Sequence, residues 1–380
     1  MSNTVRSINI PNFFYIEENA RDKLEDILYR EDIAIDRCLI VSGTGYTCRI
    51  ADDIAMRLDS GSDKIVRLCI NSNDTHAINS IEHAIAKDEV SVVVAVGGGK
   101  VLDTAKYACS NLNIPMLAFP TALSNDGISS PIAVVRLESI ESKGAKPPIG
   151  IVVDIDVVKG APKYTILAGV GDLISNISAV EDWRLAHEHK GEEIDRFAEI
   201  LSRNAAERFV YYVLKNGKVN DNDNNNSNYN NGSRCKDSNI IQDNKFLICL
   251  AEGLIQSGIA MSIAGSSRPA SGAEHLISHA LDRLLENPKP HGIQVGFATI
   301  FAMALRGSEF TDIIKVYNTL GFPTTFDSIG IPVEKFIEAV RLAPYTRKER
   351  FTILDLVRDD EMFTNALRLA YGTYQYQDIG

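Results

Sequence analysis

The sequence SVVVAVGGGKVLDTAKYA, residues 91–108, decides the fold because it joins an apolar β run directly to an amphipathic helix. Three consecutive glycines, Gly97, Gly98 and Gly99, mark the junction. Without Cβ atoms the chain can turn sharply there, and a ligand oxyanion can approach the N–H groups of the new helix. The turn therefore predicts a site for the pyrophosphate of a dinucleotide, and a strand-to-helix connection without a ligand is the alternative. It matches neither GxGxxG nor a Walker A loop.

Further βα units surround this junction over the first 160 residues. Short β-branched runs alternate with stretches of helical spacing, which is the pattern of a mostly parallel sheet. Extended runs at 131–137 and 149–155 either finish the sheet or form an added hairpin. The predicted strands are 37–41, 65–70, 90–96 and 115–119, and the predicted helices are 45–58, 74–87 and 100–112.

The second half of the chain has a different hydrophobic pattern. Apolar residues recur three and four apart over long stretches, which predicts helices at 164–187, 192–215, 239–264 and 292–306. We therefore predict two domains: an α/β nucleotide-binding domain over residues 1–161 and an all-helical metal- and substrate-binding domain over residues 162–380. An Asn-rich stretch at about 216–238 cannot bury a core and is expected to be a mobile insertion.

Composition excludes several classes of protein. The chain has 380 residues, 45% of them hydrophobic, and a net charge of −11. A general attraction to nucleic acid or to anionic lipid is therefore not expected. Residues 246–265 are apolar but contain Glu252, which favours a buried helix over a transmembrane segment. The N-terminus lacks a secretory pattern and the six cysteines form no CxxC pair, so a cytoplasmic protein with reduced thiols is expected.

A second candidate ligand loop, FPTALSNDGISSP, covers residues 119–131. It follows a predicted strand, and the carboxyl ends of strands are where open α/β sheets bind ligands. An ordinary polar turn is the alternative, because Ser, Asn, Asp and Gly are common turn residues.

Three of the seven histidines, His275, His279 and His291, fall within seventeen residues. His275 and His279 are four apart on a predicted helix and share a face, so spacing alone pairs them as metal ligands or as a ligand and a proton-handling neighbour. Asp172 lies among small and apolar residues in AGVGDLIS and is the candidate carboxylate ligand. Capping of a helix is the alternative role for an aspartate at this position. One Asp and two His leave coordination positions open, as at a catalytic metal site. Zinc is the first expectation and iron the second.

These motifs, together with SSRPASGAEH at 266–275 and TRKERFTIL at 346–354, resemble the sn-glycerol-1-phosphate dehydrogenase family. That family belongs to the superfamily of metal-dependent alcohol dehydrogenases, glycerol dehydrogenases and dehydroquinate synthases. The resemblance implies a Rossmann-like sheet in a dehydroquinate synthase-like two-domain architecture, NAD(H) or NADP(H) as cofactor, and a homo-oligomer. The sequence departs from the family at Asn125, where many relatives have histidine, and in the Asn-rich insertion.

The resemblance also implies the roles of individual residues. It pairs His275 with His291 and Asp172 on the metal, against the pairing that spacing suggests, and it assigns His279, Asp126 and Asp172 to the substrate. The implied cofactor-binding residues are Gly97, Gly98, Gly99, Lys100, Val101, Thr121, Ala122, Leu123, Ser124 and Ser130.

The implied reaction is the reduction of dihydroxyacetone phosphate to sn-glycerol 1-phosphate, which supplies the backbone of archaeal phospholipids. Arg268, with Ser266, Ser267 and Ser271, is the hypothetical binder of the substrate phosphate, because a guanidinium can donate two hydrogen bonds to it. A polyol dehydrogenase, a dehydroquinate synthase and a catalytically silent metal- or nucleotide-binding protein are the competing hypotheses.

Overall fold

In the computed structural model, which describes residues 8–59, 64–217, 239–357 and 359–372, six parallel strands form one sheet. The strands in chain order are β1 (Phe13–Glu17), β2 (Arg37–Ser42), β3 (Lys64–Cys69), β4 (Val92–Gly97), β5 (Met116–Pro120), β6 (Ile132–Arg136), β7 (Ile140–Gly144) and β8 (Gly150–Asp154). Their order across the sheet is β1-β8-β5-β4-β2-β3, while β6 and β7 form a separate antiparallel hairpin. The predicted parallel sheet is therefore confirmed, and of the two extended runs left open, one joins the sheet and one forms the hairpin.

Helices cover both faces of the sheet. The N-terminal helices are α1 (Leu24–Arg30), α2 (Tyr46–Leu58), α3 (Thr75–Lys87), α4 (Gly99–Leu112) and α5 (Ile155–Lys159). One hydrophobic core packs α1 and α2 against one face. The other core lies on the α3 and α4 face and continues without a break into the helical half. Burial on both faces explains why β4 reads as an unbroken apolar run.

The second half is helical, and no strand follows Asp154 among the residues that the structure describes. This agrees with the predicted change from an α/β half to a helical half. The domain boundary between residues 161 and 162 stays a prediction. The predicted insertion at 216–238 lies, beyond its first two residues, outside the described ranges. The helices are α6 (Lys163–Lys190), α7 (Arg196–Asn216), α8 (Asn244–Ala264), α9 (Ala273–Leu284), α10 (His291–Arg306), α11 (Thr311–Leu320), α12 (Phe326–Ile329), α13 (Val333–Thr346) and α14 (Asp360–Tyr371).

Helix α8 is long and apolar enough to span a membrane by length and composition, but 72% of its most apolar window is buried inside the protein. Its buried side chains pack in the same core as those of α6 and α7. The expectation of a buried core helix is therefore confirmed.

Helices α6 and α10 cross at a contact that only glycine allows. A Cβ on Gly292 would lie 1.9 Å from the carbonyl oxygen of Ala168, and one on Gly171 would lie 2.1 Å from the carbonyl oxygen of Gly292. Each glycine adjoins a candidate metal ligand, because Asp172 follows Gly171 and His291 precedes Gly292. The close crossing therefore brings these two side chains together.

Gly292→Ala is expected to lower the free energy of unfolding by about 1–3 kcal/mol, because the added methyl group must push backbone away from backbone. Urea unfolding measures the effect. Gly144→Ala is the matched control: a Cβ at Gly144 meets nothing within 4 Å, so its stability should stay within about 0.5 kcal/mol of wild type. Equal stability of the two variants would contradict the packing argument.

Candidate metal and nucleotide site

Asp172, His275 and His291 offer ligand atoms that all lie within 4.8 Å of one another. Nε2 of His275 is 3.7 Å and Nε2 of His291 is 3.8 Å from Oδ1 of Asp172. Two ligand bonds of about 2.0–2.1 Å at a tetrahedral angle span about 3.3 Å, so the three atoms would draw closer together to bind one ion. The structure therefore groups His291, not His279, with His275 and Asp172.

Both imidazoles are held through their other ring nitrogen. Nδ1 of His275 is 3.0 Å from Oε1 of the buried Glu274. Nδ1 of His291 is 3.2 Å from Oγ of Ser278, which also accepts a hydrogen bond from the side-chain amide of Gln294. Partners of this kind orient metal-binding histidines and leave Nε2 free for the ion. The donor set and its supports thus fit a divalent cation with open coordination positions.

Burial disfavours the charged form of each member of this group. Desolvation raises the pKa of Asp172 well above its ordinary value, and the charge of Asp126 raises it further. Desolvation also lowers the pKa of His275 to about 3 and that of His291 to about 4. Neutral imidazoles are the form that binds metal, and a cation would compensate the carboxylate charge that burial disfavours.

His279 lies one turn beyond His275 on α9 and stacks beside His291, with ring centroids 6.1 Å apart. Burial lowers its pKa to about 3, and the positive charges of neighbouring histidines and of Arg347 act in the same direction. It is therefore next to the three ligand atoms without being one of that group.

The loop after β5 connects the triad to the glycine turn. The backbone N–H of Asp126 donates to Oδ2 of Asp172 at 2.9 Å, and Oδ2 of Asp126 accepts from Ser257 Oγ at 2.8 Å. Burial raises the pKa of Asp126 to about 6, opposed by the Ser257 hydrogen bond and the charge of Lys106. On the other side of the loop, Asn125 packs against Gly99. A ligand on the glycine turn would therefore lie beside the metal-binding group.

The glycine turn opens α4 as predicted, but its backbone is ordinary. Gly98 has φ −82° and ψ −175°, which any residue can adopt, so a left-handed turn is not the reason for glycine. A Cβ on Gly97 would lie 2.6 Å from that of Val101, and one on Gly99 would lie 3.0 Å from Asn125, whereas one on Gly98 meets nothing within 4 Å. Packing therefore favours glycine strongly at position 97 and more weakly at position 99, where the Asn125 side chain could shift, and Gly98 faces open space.

The ten residues expected to bind the cofactor fall into two groups. Gly98, Gly99, Lys100, Ala122 and Ser124 are at least partly accessible. The side chains of the other members are buried: Val101 packs on Gly97, and Ser130 Oγ donates to the Ile132 carbonyl at 3.3 Å. The buried members are Gly97, Val101, Thr121, Leu123 and Ser130.

The structure does not support Arg268 as the phosphate-binding residue. Its Nε donates to Oε1 of Glu192 at 2.6 Å, its Nη2 donates to the other oxygen of that carboxylate, and its Nη1 donates to the Phe351 carbonyl at 2.9 Å. The guanidinium is buried and all three nitrogens have partners. A bidentate ion pair of this kind neutralises the charge of Arg268 and fixes the segment before α9.

The residues that hold the site in place are not among those predicted from the sequence. Lys106 is 1% exposed and donates to Asp103 and to the carbonyls of Gly127 and Ile132, which fastens the Asp126 loop to α4. The spacing of Ser278 from His275 and of Gln294 from His291, three residues in each case, is a signal that could have found two others. The residues missed in this way are Lys106, Ser257, Glu274, Ser278 and Gln294.

The chain is similar in sequence to known dehydrogenases. The family model described as iron-containing alcohol dehydrogenase matches residues 15–162. Among curated proteins, the glycerol-1-phosphate dehydrogenase [NAD(P)+] of Pyrococcus horikoshii is 40% identical over 306 residues, covering 78% of this chain and 81% of the relative. The enzyme of the same name from Methanosphaerula palustris is 34% identical over 366 residues, covering 96% and 94%.

Solved structures show the same fold at lower identity. A probable glycerol dehydrogenase from Sinorhizobium meliloti has a TM-score of 0.72 at 20% identity and covers 96% of this chain and 98% of that chain. The glycerol dehydrogenase from Schizosaccharomyces pombe also has a TM-score of 0.72, at 17% identity, covering 97% and 92%. The fold is thus shared with these two enzymes. The identity and extent of the curated matches show that the chain belongs to the family of NAD(P)+-dependent glycerol-1-phosphate dehydrogenases.

Proposed function

We propose that the chain reduces dihydroxyacetone phosphate to sn-glycerol 1-phosphate with NADH or NADPH. The observation that carries the proposal is the convergence of Asp172, His275 and His291 next to the loop that reaches the glycine turn. The names of the curated relatives support the reaction class and the cofactor. A nucleotide-binding half ending near residue 161 and a helical substrate-binding half are part of the proposal.

Asp172, His275 and His291 would hold Zn²⁺, with iron as the less favoured ion. A zinc ion there supplies Lewis-acid polarisation of the substrate carbonyl. The glycine turn is proposed to hold the cofactor diphosphate, since the backbone N–H groups of Gly99 and Lys100 have no acceptor among the described residues. The residues of the loop after β5, together with Lys100 and Val101, would complete the cofactor site.

The chain's own residues would then orient the substrate and deliver a proton. Reduction of the ketone needs a hydride at C2, which a bound NADH or NADPH would supply, and a proton at the C2 oxygen. His279 is proposed to orient that oxygen and to relay the proton, because its neutral imidazole can donate from one nitrogen and accept at the other. Asp126, whose carboxylate accepts a hydrogen bond from Ser257, would also contact the substrate.

The reaction would supply the glycerophosphate backbone of archaeal phospholipids. A cytoplasmic location and a homo-oligomeric state also belong to the proposal. Small molecules are the expected partners, with no role for nucleic acid in keeping with the acidic net charge.

A direct assay tests the proposed reaction. Purified zinc-loaded protein is mixed with NADH or NADPH and either dihydroxyacetone phosphate or dihydroxyacetone, and absorbance of the reduced cofactor is followed. We expect rapid oxidation of the reduced cofactor with dihydroxyacetone phosphate. The kcat/KM for dihydroxyacetone should be at least about 10-fold lower, since the charge-assisted hydrogen bonds to the phosphate are lost. Oxidation with dihydroxyacetone alone would instead identify a polyol dehydrogenase.

A further inference from the structure

Three arginines gather where the segment before α9 meets the end of α13, although the chain as a whole is acidic. Arg268 is neutralised by the bidentate pair with Glu192. Arg347 and Arg350 have no comparable partner. Their positive charges both contribute to the lowered pKa of His275. Arg350 also donates to the carbonyl of Ser271, four residues before His275, so the cluster lies close to the start of α9 and carries an excess of positive charge.

Arg350 is a buried cation with no direct ion pair among the described residues, and only the more distant charges of Glu192 and Glu274 oppose its own. It is 5% exposed, and its hydrogen bonds go to neutral groups, the Ser271 carbonyl at 2.5 Å and Ser267 Oγ at 2.9 Å. Among the described residues no carboxylate lies within 4 Å of its guanidinium. Burial, followed by the charges of Arg347 and Arg268, lowers its pKa to about 9. Buried charge is normally paired, so this position favours an anionic ligand.

Ser267 links the two arginines. Its Oγ accepts from Arg350 Nη2 and, at 3.2 Å, from Arg347 Nη1. Both lone pairs of the hydroxyl are thereby used, and its own hydrogen has no acceptor among the described residues. That hydrogen can be donated to a ligand oxygen, as in many phosphate sites built from arginine and serine.

Arg347 is the accessible member of the cluster. Its side chain is 38% exposed, and its Nε bonds the exposed Glu349 at 2.8 Å, a surface ion pair that contributes little energy and is readily displaced. Its charge acts on His279 as well as on His275. Nη2 of Arg347 has no bond among the described residues, and the partial exposure of the side chain leaves it accessible to a ligand.

We propose that Arg347, Arg350 and Ser267 bind the phosphate group of the substrate, in place of Arg268. Arg350 supplies fixed charge, Arg347 supplies a guanidinium that can approach the ligand, and Ser267 supplies a hydroxyl donor. Arg268 acts only as a positioning residue through Glu192. The assignment rests on the proposed function, because it concerns the phosphorylated end of the same substrate.

Arg347→Gln is expected to raise the KM for dihydroxyacetone phosphate about 10- to 100-fold, because a charge-assisted bond to phosphate is lost. The KM for dihydroxyacetone should stay within about twofold of wild type. Inhibition of dihydroxyacetone reduction by inorganic phosphate should weaken in parallel.

Arg347→Lys should restore part of the affinity, since the charge returns without the planar fork. Arg341→Gln, on the exposed face of α13, is the matched control and should leave all three measurements unchanged.

Ser267→Ala provides a second variant that leaves both charges in place, with an expected KM increase of several-fold. The proposal is overturned if Arg347→Gln and Ser267→Ala leave both the KM for dihydroxyacetone phosphate and phosphate inhibition within twofold of wild type. Failure of the proposed function is a separate result, in which wild type does not reduce dihydroxyacetone phosphate. In that case, thermal unfolding in the presence of inorganic phosphate tests the anion site by itself. A phosphate-dependent rise in the Tm of wild type that is absent in Arg347→Gln supports the anion site, and the absence of any rise in wild type overturns it.

Discussion

Asp172→Asn is expected to lose bound zinc and to lower kcat/KM for dihydroxyacetone phosphate by on the order of 10³-fold or more, since several kcal/mol of Lewis-acid stabilisation disappear with the ion. The substitution keeps the shape of the side chain. Its amide oxygen can still accept the N–H of Asp126, as Oδ2 of Asp172 does at 2.9 Å. Its NH₂ group would then face the two Nε2 atoms and place a donor where the cation requires a ligand.

Zinc content after dialysis, measured with kcat/KM and the thermal midpoint, separates loss of the ion from loss of the fold. Glu181→Gln is the control on the same helix, because Glu181 pairs with Arg306 and Ser308 and belongs to neither the triad nor its supports. It should retain stoichiometric zinc and activity within about twofold. An Asp172→Asn protein that kept both zinc and activity would show that the triad is not the metal site.

Strong periodicity is what made the fold predictable from sequence. Strand β4 is buried on both faces and reads as VVVAV, and the long helices carry apolar residues on a regular stripe. Strand β1 was missed because it lies at the edge of the sheet, is half exposed, and is specified by its parallel pairing with β8, about 137 residues later. No local pattern contains that information.

The sequence named the three residues that the structure groups as candidate metal ligands, but not the residues that support them. Spacing favoured His275 with His279, since both lie on α9. The choice of His291 depends on the crossing of α6 and α10, where Gly171 and Gly292 allow backbone contact. Arg268 was a reasonable phosphate binder by composition, yet its partner Glu192 is 76 residues away in sequence. Tertiary contacts of this separation decide whether a charged side chain is free.

Gly98→Asp is expected to raise the KM for NADH at least about 100-fold, because a carboxylate beside the cofactor diphosphate is repelled by several kcal/mol. Residue 98 is the N-cap of α4, where Asp is among the favoured residues, and its backbone conformation suits any amino acid. A Cβ there meets nothing within 4 Å, so the variant should fold normally. The effect therefore reports on the ligand and not on packing.

Gly98→Asn separates charge from bulk, since its side chain has the same size and is an equally good N-cap. We expect a smaller increase in KM, about 10-fold, from occupation of the space alone. NADH titration followed by fluorescence measures binding without turnover, and the unfolding midpoint checks the fold in both variants. Tight NADH binding by Gly98→Asp would show that the diphosphate lies elsewhere.

Gly97→Ala, in contrast, should destabilise the fold itself, because its Cβ would lie 2.6 Å from that of Val101. These results would show that Gly98 leaves room for the ligand and that Gly97 allows the strand to pack against the helix.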